Sequence, residues 1–351
     1  MKRMTNFTIA TIASLVLSFS LLAEYDVAKL DSQFVSWGVN GQEKRASINL
    51  VDAWKKFKKK SEVVVAVVDT GIDPSHPFLK DNLYVIDGIA SERNYGIDFS
   101  RGRENKFRPM DQHGHGTHVS GIIKSIFPEV KILPLKYYNP NASGADNLQS
   151  NIEALQYAVD NNVDIINYSG GGPAPSREEL KILQEAERKG ILVVAAAGNE
   201  EANIDRQSKY FPASYGLSNV IAVTAYNQDL MVSSPFSYGE KTVDVAAPGY
   251  RIKSALPHSR AGYLTGTSQA TAFVSGVAAL IKSQNPELSA VQIKDLIKKS
   301  AKQEISLMGK CSSGKLDAGR AIEMADKVIA LPARNVASNK RGKIIFRVAR
   351  Q

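Results

Sequence analysis

Val63-Val64-Val65-Ala66-Val67-Val68-Asp69-Thr70-Gly71 is an unbroken apolar run, almost entirely β-branched, that stops on a carboxylate. A strand covered on one face alternates apolar and polar residues, whereas one covered on both faces does not. The run therefore predicts a central strand of a parallel sheet with helices on either side. Asp69 would stand at the carboxyl end of that strand, where ligands and catalytic groups of open parallel sheets gather. Taken alone, Asp69 fits equally well as a turn aspartate bonded to its own loop. Asp-Thr-Gly also matches the aspartic-protease motif, but that chemistry needs two carboxylates sharing a proton. The chain has no second Asp-Thr-Gly or Asp-Ser-Gly.

The same pattern recurs downstream. Val163 to Tyr168 reads as a buried strand and runs into Ser169-Gly170-Gly171-Gly172, a backbone bare enough to receive an extended peptide. Ile191 to Ala197 reads likewise and ends at Gly198-Asn199-Glu200, where an asparagine amide stands ready to donate, though Gly-Asn is also an ordinary turn. Helical segments 151–161, 177–189 and 290–300 alternate with these strands. The fold class is α/β, a doubly wound, mostly parallel β-sheet with helices on both faces. Three strand ends thus bring polar or bare residues to one edge of one sheet.

Gly266-Thr267-Ser268-Gln269-Ala270-Thr271 places a serine in the first turn of a helix continuing through 272–281, apolar on nearly every side and so buried. Free backbone N–H groups and the positive end of the helix dipole favour an oxyanion there, although most serines at helix starts are caps. Between 111 and 121 the chain reads Asp-Gln-His-Gly-His-Gly-Thr-His-Val-Ser-Gly, with three of the five histidines inside six residues. A dinuclear metal pattern would require a carboxylate where Thr117 stands, and His76 and His258 lack suitable company as further ligands. The other reading makes His115 a general base at the start of a helix.

The blocks Val67 to Asp73, His115 to Gly121, Ala196 to Glu200 and Gly266 to Ser268 resemble, in order, the signature blocks of the subtilisin-like serine proteases. The resemblance covers roughly residues 45–325, including Asp164 to Ser169 and Ala247-Pro248-Gly249. It implies a serine endopeptidase with Ser268 as nucleophile, His115 as its base and Asp69 holding the histidine. It also implies an oxyanion hole from the Asn199 side chain and the Ser268 N–H, with a longer-range dipole from Thr267. Ser143, Gly144, Tyr168, Ser169, Gly170 and Gly198 would line the peptide, which adds as a strand. No cofactor or metal is implied. An alternative from another class is a catalytically silent relative that binds peptides or partners, but each chemical position is filled.

The chain also departs from the family pattern. Gln269-Ala270-Thr271-Ala272 replaces the usual Met-Ala-Ser/Thr-Pro after the serine, a loss of stiffening only. Gly170 stands where a larger apolar residue is usual, which should open the pocket wall. Phe78 stands where secreted relatives carry a calcium aspartate, and the link from Gly121 to the strand at 130–135 is short for a calcium loop. The common strong calcium site is therefore expected to be absent, weaker ones elsewhere being left open.

Lys2-Arg3 followed by an apolar run from Ile9 to Leu22 reads as a secretory signal over residues 1–23, cut between Ser20 and Ala23. The run is short of the about 20 residues that a membrane span needs, so no stable anchor is expected. The expected location is extracellular or periplasmic. Residues 24–44 form an extension too short for the globular pro-domain of the family, so unaided folding or restraint by a separate protein is expected. Glu43-Lys44-Arg45 is a dibasic stretch that fits activating cleavage or a plain surface turn. Ser47 to Lys60 predicts a helix with Leu50, Val51 and Trp54 on one face and Lys58-Lys59-Lys60 at its negative end, a run that needs no nucleic acid. Cys311 is the single cysteine, so no intrachain disulfide forms. The net charge of +9 is modest for 351 residues. The expected partners are protein or peptide substrates, with no nucleic acid, a possible separate inhibitor or activating protease, and a monomeric state. The basic tail 326–351 reads as solvated and frayed, or as attracted to anionic surfaces.

Overall fold

The computed structural model of the chain describes residues 25–39, 45–86, 95–100 and 107–328. The expected signal segment, Glu43-Lys44 and the tail beyond Val328 lie outside them. Among the described residues no helix is long and apolar enough to cross a membrane.

Seven strands form one parallel sheet: β1 (Val64–Asp69), β2 (Ile97–Asp98), β3 (Lys131–Lys136), β4 (Ile165–Tyr168), β5 (Leu192–Ala196), β6 (Val220–Tyr226) and β7 (Val245–Pro248). Their order is β2-β3-β1-β4-β5-β6-β7. From β1 the chain runs to the edge strand β2, returns through β3, then crosses to β4 and builds outward to β7, so the reversal falls between β1 and β4. A crevice opens at the carboxyl ends of the strands at such a switch point.

Alternate residues of each strand enter different cores, as the period of two requires. Val65 and Val67 of β1, with Leu192 and Val194 of β5, enter one cluster. Ala66 and Val68, with Val193 and Ala195, enter the other. The first layer receives helices α1 (Leu50–Lys56), α2 (His115–Ile126), α5 (Thr267–Gln284), α6 (Ala290–Ser300) and α7 (Ala318–Lys327). The second receives α3 (Gly144–Asp160) and α4 (Arg177–Lys189). The doubly wound α/β arrangement read from the sequence is thus the one observed. An antiparallel hairpin, β8 (Ile252–Leu256) and β9 (Arg260–Leu264), leads into α5.

Helix boundaries follow their caps. The Ser176 and Ser289 side chains accept the N–H groups of Glu179 and Gln292, so α4 and α6 begin as the sequence predicts. The helix predicted over 47–60 is shorter. Asn49 sits in the left-handed region (φ 56°) and Phe57 is extended, so only 50–56 are helical. Lys58-Lys59-Lys60 lie past its end, and Val51 faces outward at 38% exposure while Leu50 and Trp54 are buried.

Helix α5 is buried over almost its whole length and packs against both α2 and the sheet. Close approach is secured at Gly276, where an added Cβ would lie 2.8 Å from Ile126 Cβ and 2.9 Å from its Cδ1. Gly276→Val should lower the stability of unfolding by about 1–3 kcal/mol through overpacking. Denaturant melts check this, and an unchanged midpoint would show that the two helices can separate freely.

Candidate active site

Asp69 ends β1 at the switch point and is 3% exposed. One carboxylate oxygen accepts the Thr70 N–H at 2.7 Å, which fixes the side chain in place. That same oxygen lies 2.7 Å from His115 Nδ1, which donates to it. His115 opens α2, and Gly116 behind it leaves no room for a Cβ against Gly71 O. The missing side chain is what lets the helix start approach the strand end. Gly71 itself takes φ +106°, a conformation that favours glycine.

The α2 N-cap is Gly114, which has no side chain to cap with. Asp111, buried and three residues earlier, takes over. Its Oδ1 accepts from Thr70 Oγ1 at 2.9 Å, His113 N at 3.0 Å and Gly114 N at 2.7 Å. Its Oδ2 accepts from Thr117 N at 2.9 Å and Thr117 Oγ1 at 2.6 Å. One carboxylate thus ties the end of β1 to the first turn of α2. Reading the sequence assigned Asp111 no role; its spacing of six from Thr117 was the available signal.

The histidines do not converge. His113 is exposed. His118 is fully buried, and its Nε2 faces the carbonyls of Ile252 at 2.9 Å and Gly262 at 3.3 Å. Burial, with the neighbouring His115 charge, pushes its pKa down to about 4, so it is a neutral clasp on the β8–β9 hairpin. His76 is also buried, its Nδ1 accepting from Phe78 N. Among the described residues no group of three or more His, Cys, Asp or Glu is gathered to hold a metal. The Cys311 thiol is buried and its pKa raised by that burial.

Ser268 lies in the first turn of α5 and is 6% exposed. Its Oγ donates to Ser169 O at 2.7 Å, and Ser169 Oγ donates to Ser268 O at 3.1 Å. The segment after β4 is thereby stapled to the start of α5. No bond joins the Ser268 hydroxyl to His115 in this state. A change of rotamer would turn it, and such bonds often form only with substrate bound.

Asn199 follows β5 and is exposed. Its Oδ1 accepts the Thr267 N–H at 2.9 Å, which leaves Nδ2 free to donate outward. Thr267 locks the same turn, since its Oγ1 accepts from Gly198 N at 3.3 Å and donates to Gly198 O at 3.2 Å.

Around the bare segments the structure departs from the sequence reading. Gly170 does not open the wall, because the Tyr137 hydroxyl occupies the space its Cβ would take. The Tyr210 ring stands between the two glycine segments, 2.5 Å from a Cβ built on Gly171 and 2.9 Å from one on Gly198. Neither tyrosine carried a signal in the sequence, since each comes from a loop distant along the chain. Tyr168 turns its side chain into the second core layer, and its hydroxyl reaches Asn151 and Glu179. Ser143 is the N-cap of α3, its Oγ accepting from Asp146 N, and Gly144 begins that helix.

Burial pulls the His115 pKa down, but the charge of Asp69, its hydrogen bond and the charge of Asp111 together raise it above the ordinary value. A nuclear-magnetic-resonance titration should place His115 above about 6.5, the unperturbed value. Asp69→Asn should move it downward. A wild-type ring titrating below that value would contradict the arrangement.

The family model described as "Subtilase family" matches residues 60–325. The chain is 38% identical over 250 residues to the major intracellular serine protease of Bacillus subtilis, covering 68% of this chain and 74% of that one. It is 36% identical over 251 residues to subtilisin E of the same species, covering 69% and 61%. It is 35% identical over 279 residues to M-protease of Shouchella clausii, covering 77% and 65%. The matched region therefore spans just under two thirds of these last two relatives.

Proposed function

The chain belongs to the subtilase family and is by that membership a serine endopeptidase; we propose that Ser268, His115 and Asp69 carry its chemistry in an exported protein. The single observation that carries this reading is the 2.7 Å bond from His115 to the buried Asp69, set at the same sheet edge as Ser268. It fixes the histidine tautomer with Nδ1 protonated and leaves Nε2 as the basic nitrogen.

A serine hydroxyl attacks a peptide carbonyl only if a base takes its proton during attack. In the proposed cycle Ser268 Oγ turns from Ser169 O towards His115 and bonds to the carbonyl carbon as Nε2 receives the proton. The carbonyl electrons move to oxygen, and Asn199 Nδ2 with the Ser268 N–H receive that charge. The Thr267 bond to Asn199 Oδ1 holds the amide in donating orientation beforehand. Collapse expels the amine, which takes the proton from His115 and leaves the acyl group on Ser268. Water then repeats the steps in reverse order. The peptide pairs as an added strand with segment 169–172, and Ser143 and Gly144 border it from the start of α3 rather than as a strand.

Export is supported by the chain's own front, Lys2-Arg3 before an apolar core. The word intracellular in one relative's name belongs to that relative. A monomer acting on protein substrates and a peptidase domain over 45–325 complete the proposal, with Phe34 and Val39 of the preceding extension packed into the first core layer.

A fluorophosphonate probe should add once, at Ser268, and Ser268→Ala should abolish both adduct and peptide cleavage. An adduct elsewhere, or cleavage persisting in the variant, would refute the assignment. Asn199→Ala should lower kcat by about 10²–10³-fold, the loss known for the oxyanion-hole amide of subtilisin itself and carried over from it. Because the base must be neutral, kcat/KM should rise with pH on a limb set by the raised His115 pKa and hold into alkaline pH. An acid optimum would contradict the triad.

A further inference from the structure

A cavity of about 490 Å³ opens beside the peptide-binding segment, lined in part by Gly144, Gly171 and Gly172, and the bond-breaking steps themselves leave its interior unused. Its walls are aromatic, formed by Tyr137, Tyr138 and Phe211. Its inner end is polar and nearly dry: Asn151 is 1% exposed, Tyr168 3% and Glu179 3%. Glu179 belongs to the first turn of α4, Asn151 to α3 and Tyr168 to β4.

The chemistry of this inner end is one-sided. Glu179 Oε1 accepts from the Tyr168 hydroxyl at 3.1 Å and Asn151 Nδ2 at 3.3 Å. Its Oε2 accepts from the Tyr215 hydroxyl at 2.8 Å. Asn151 Nδ2 also donates to the Tyr168 hydroxyl at 2.8 Å, while Asn151 Oδ1 has no partner. No lysine or arginine among the described residues is paired with Glu179. Burial raises the Glu179 pKa despite the hydrogen bonds that oppose it. This carboxylate has three neutral donors but no countercharge, and the amide oxygen beside it is orphaned, so a cationic donor entering the cavity would relieve both.

We propose that this cavity is a specificity subsite for a basic side chain of the peptide substrate, with Glu179 as counter-charge and Asn151 Oδ1 as second acceptor. Arginine fits better than lysine. Its planar fork reaches two acceptors at once, and its weakly hydrated cation stacks on aromatic faces such as the tyrosine walls. The position along the substrate follows from the backbone. Ser169, which holds the Ser268 hydroxyl, precedes Gly171 and Gly172 by two and three residues, about 7–10 Å in an extended strand. The side chain held here therefore belongs to a residue a few positions from the bond that is cut. The proposal rests on the peptidase reading and deepens it by naming a substrate class.

The test is kcat/KM on matched fluorogenic peptides carrying arginine, its neutral isostere citrulline, lysine or norleucine at each position in turn. Active sites are counted by fluorophosphonate titration in every sample. At one position arginine should exceed citrulline by about tenfold or more, as a charged hydrogen bond in a dry pocket requires. Glu179→Gln should bring that ratio to within about twofold of one. Should Glu179→Gln titrate no active sites, Leu148→Arg answers instead, since Leu148 lines the cavity at 41% exposure and a fixed cation there should suppress the same ratio. A wild-type enzyme that titrates fully and cleaves the peptides without preferring arginine to citrulline at any position overturns the subsite alone. A preference that survives both substitutions overturns it too. A protein that takes no adduct and cleaves nothing overturns the peptidase reading and the subsite with it.

Discussion

The contact between the end of β1 and the beginning of α2 governs the rest of the molecule. Asp69 is buried at the reversal point of the sheet, and a buried carboxylate is tolerated only when hydrogen-bonded. The Thr70 N–H and the His115 ring meet that demand. For His115 to arrive, the helix must start against the strand. Gly116 permits the approach, and Asp111 replaces the cap that Gly114 lacks. The energetic needs of the fold and the orientation of an imidazole are satisfied by the same few bonds.

A second constraint comes from the opposite side of the crevice. Helix α5 threads the first core layer and brings Ser268 to the sheet edge at its dipole-positive end. Ser169 and Ser268 exchange bonds between side chain and backbone, so the segment that would pair with a peptide and the serine that would attack it move as one unit. Thr267 does the same for the turn carrying Asn199. The site thus rests on the ends of strands and helices rather than on free loops, the arrangement that holds reacting groups to a fraction of an ångström.

Much of this was legible in the chain. The apolar runs ending at Asp69, Tyr168 and Ala197 gave the parallel sheet, because strands covered on both faces show no alternation. Ser176 and Ser289 marked the starts of α4 and α6 as local caps do. What escaped was decided by tertiary packing. The left-handed Asn49 cut α1 short, and no local rule forces asparagine into that conformation. Tyr137 and Tyr210 fill the spaces left by Gly170, Gly171 and Gly198, which inverted the expectation of a widened wall. Asp111 looked like one more residue in a histidine-rich stretch until the fold brought Thr70 to it. The acidic inner end of the side cavity joins residues from three elements and has no linear signature.

The most direct measurement is a crystal structure of the phosphonylated protein. The account predicts a tetrahedral phosphorus on Ser268 Oγ, with its oxygen about 2.7–3.1 Å from both Asn199 Nδ2 and the Ser268 N–H. His115 should remain bonded to Asp69. A phosphoryl oxygen turned to solvent and away from Asn199, or a His115 ring swung off Asp69, would contradict the claim that this crevice is built for an oxyanion.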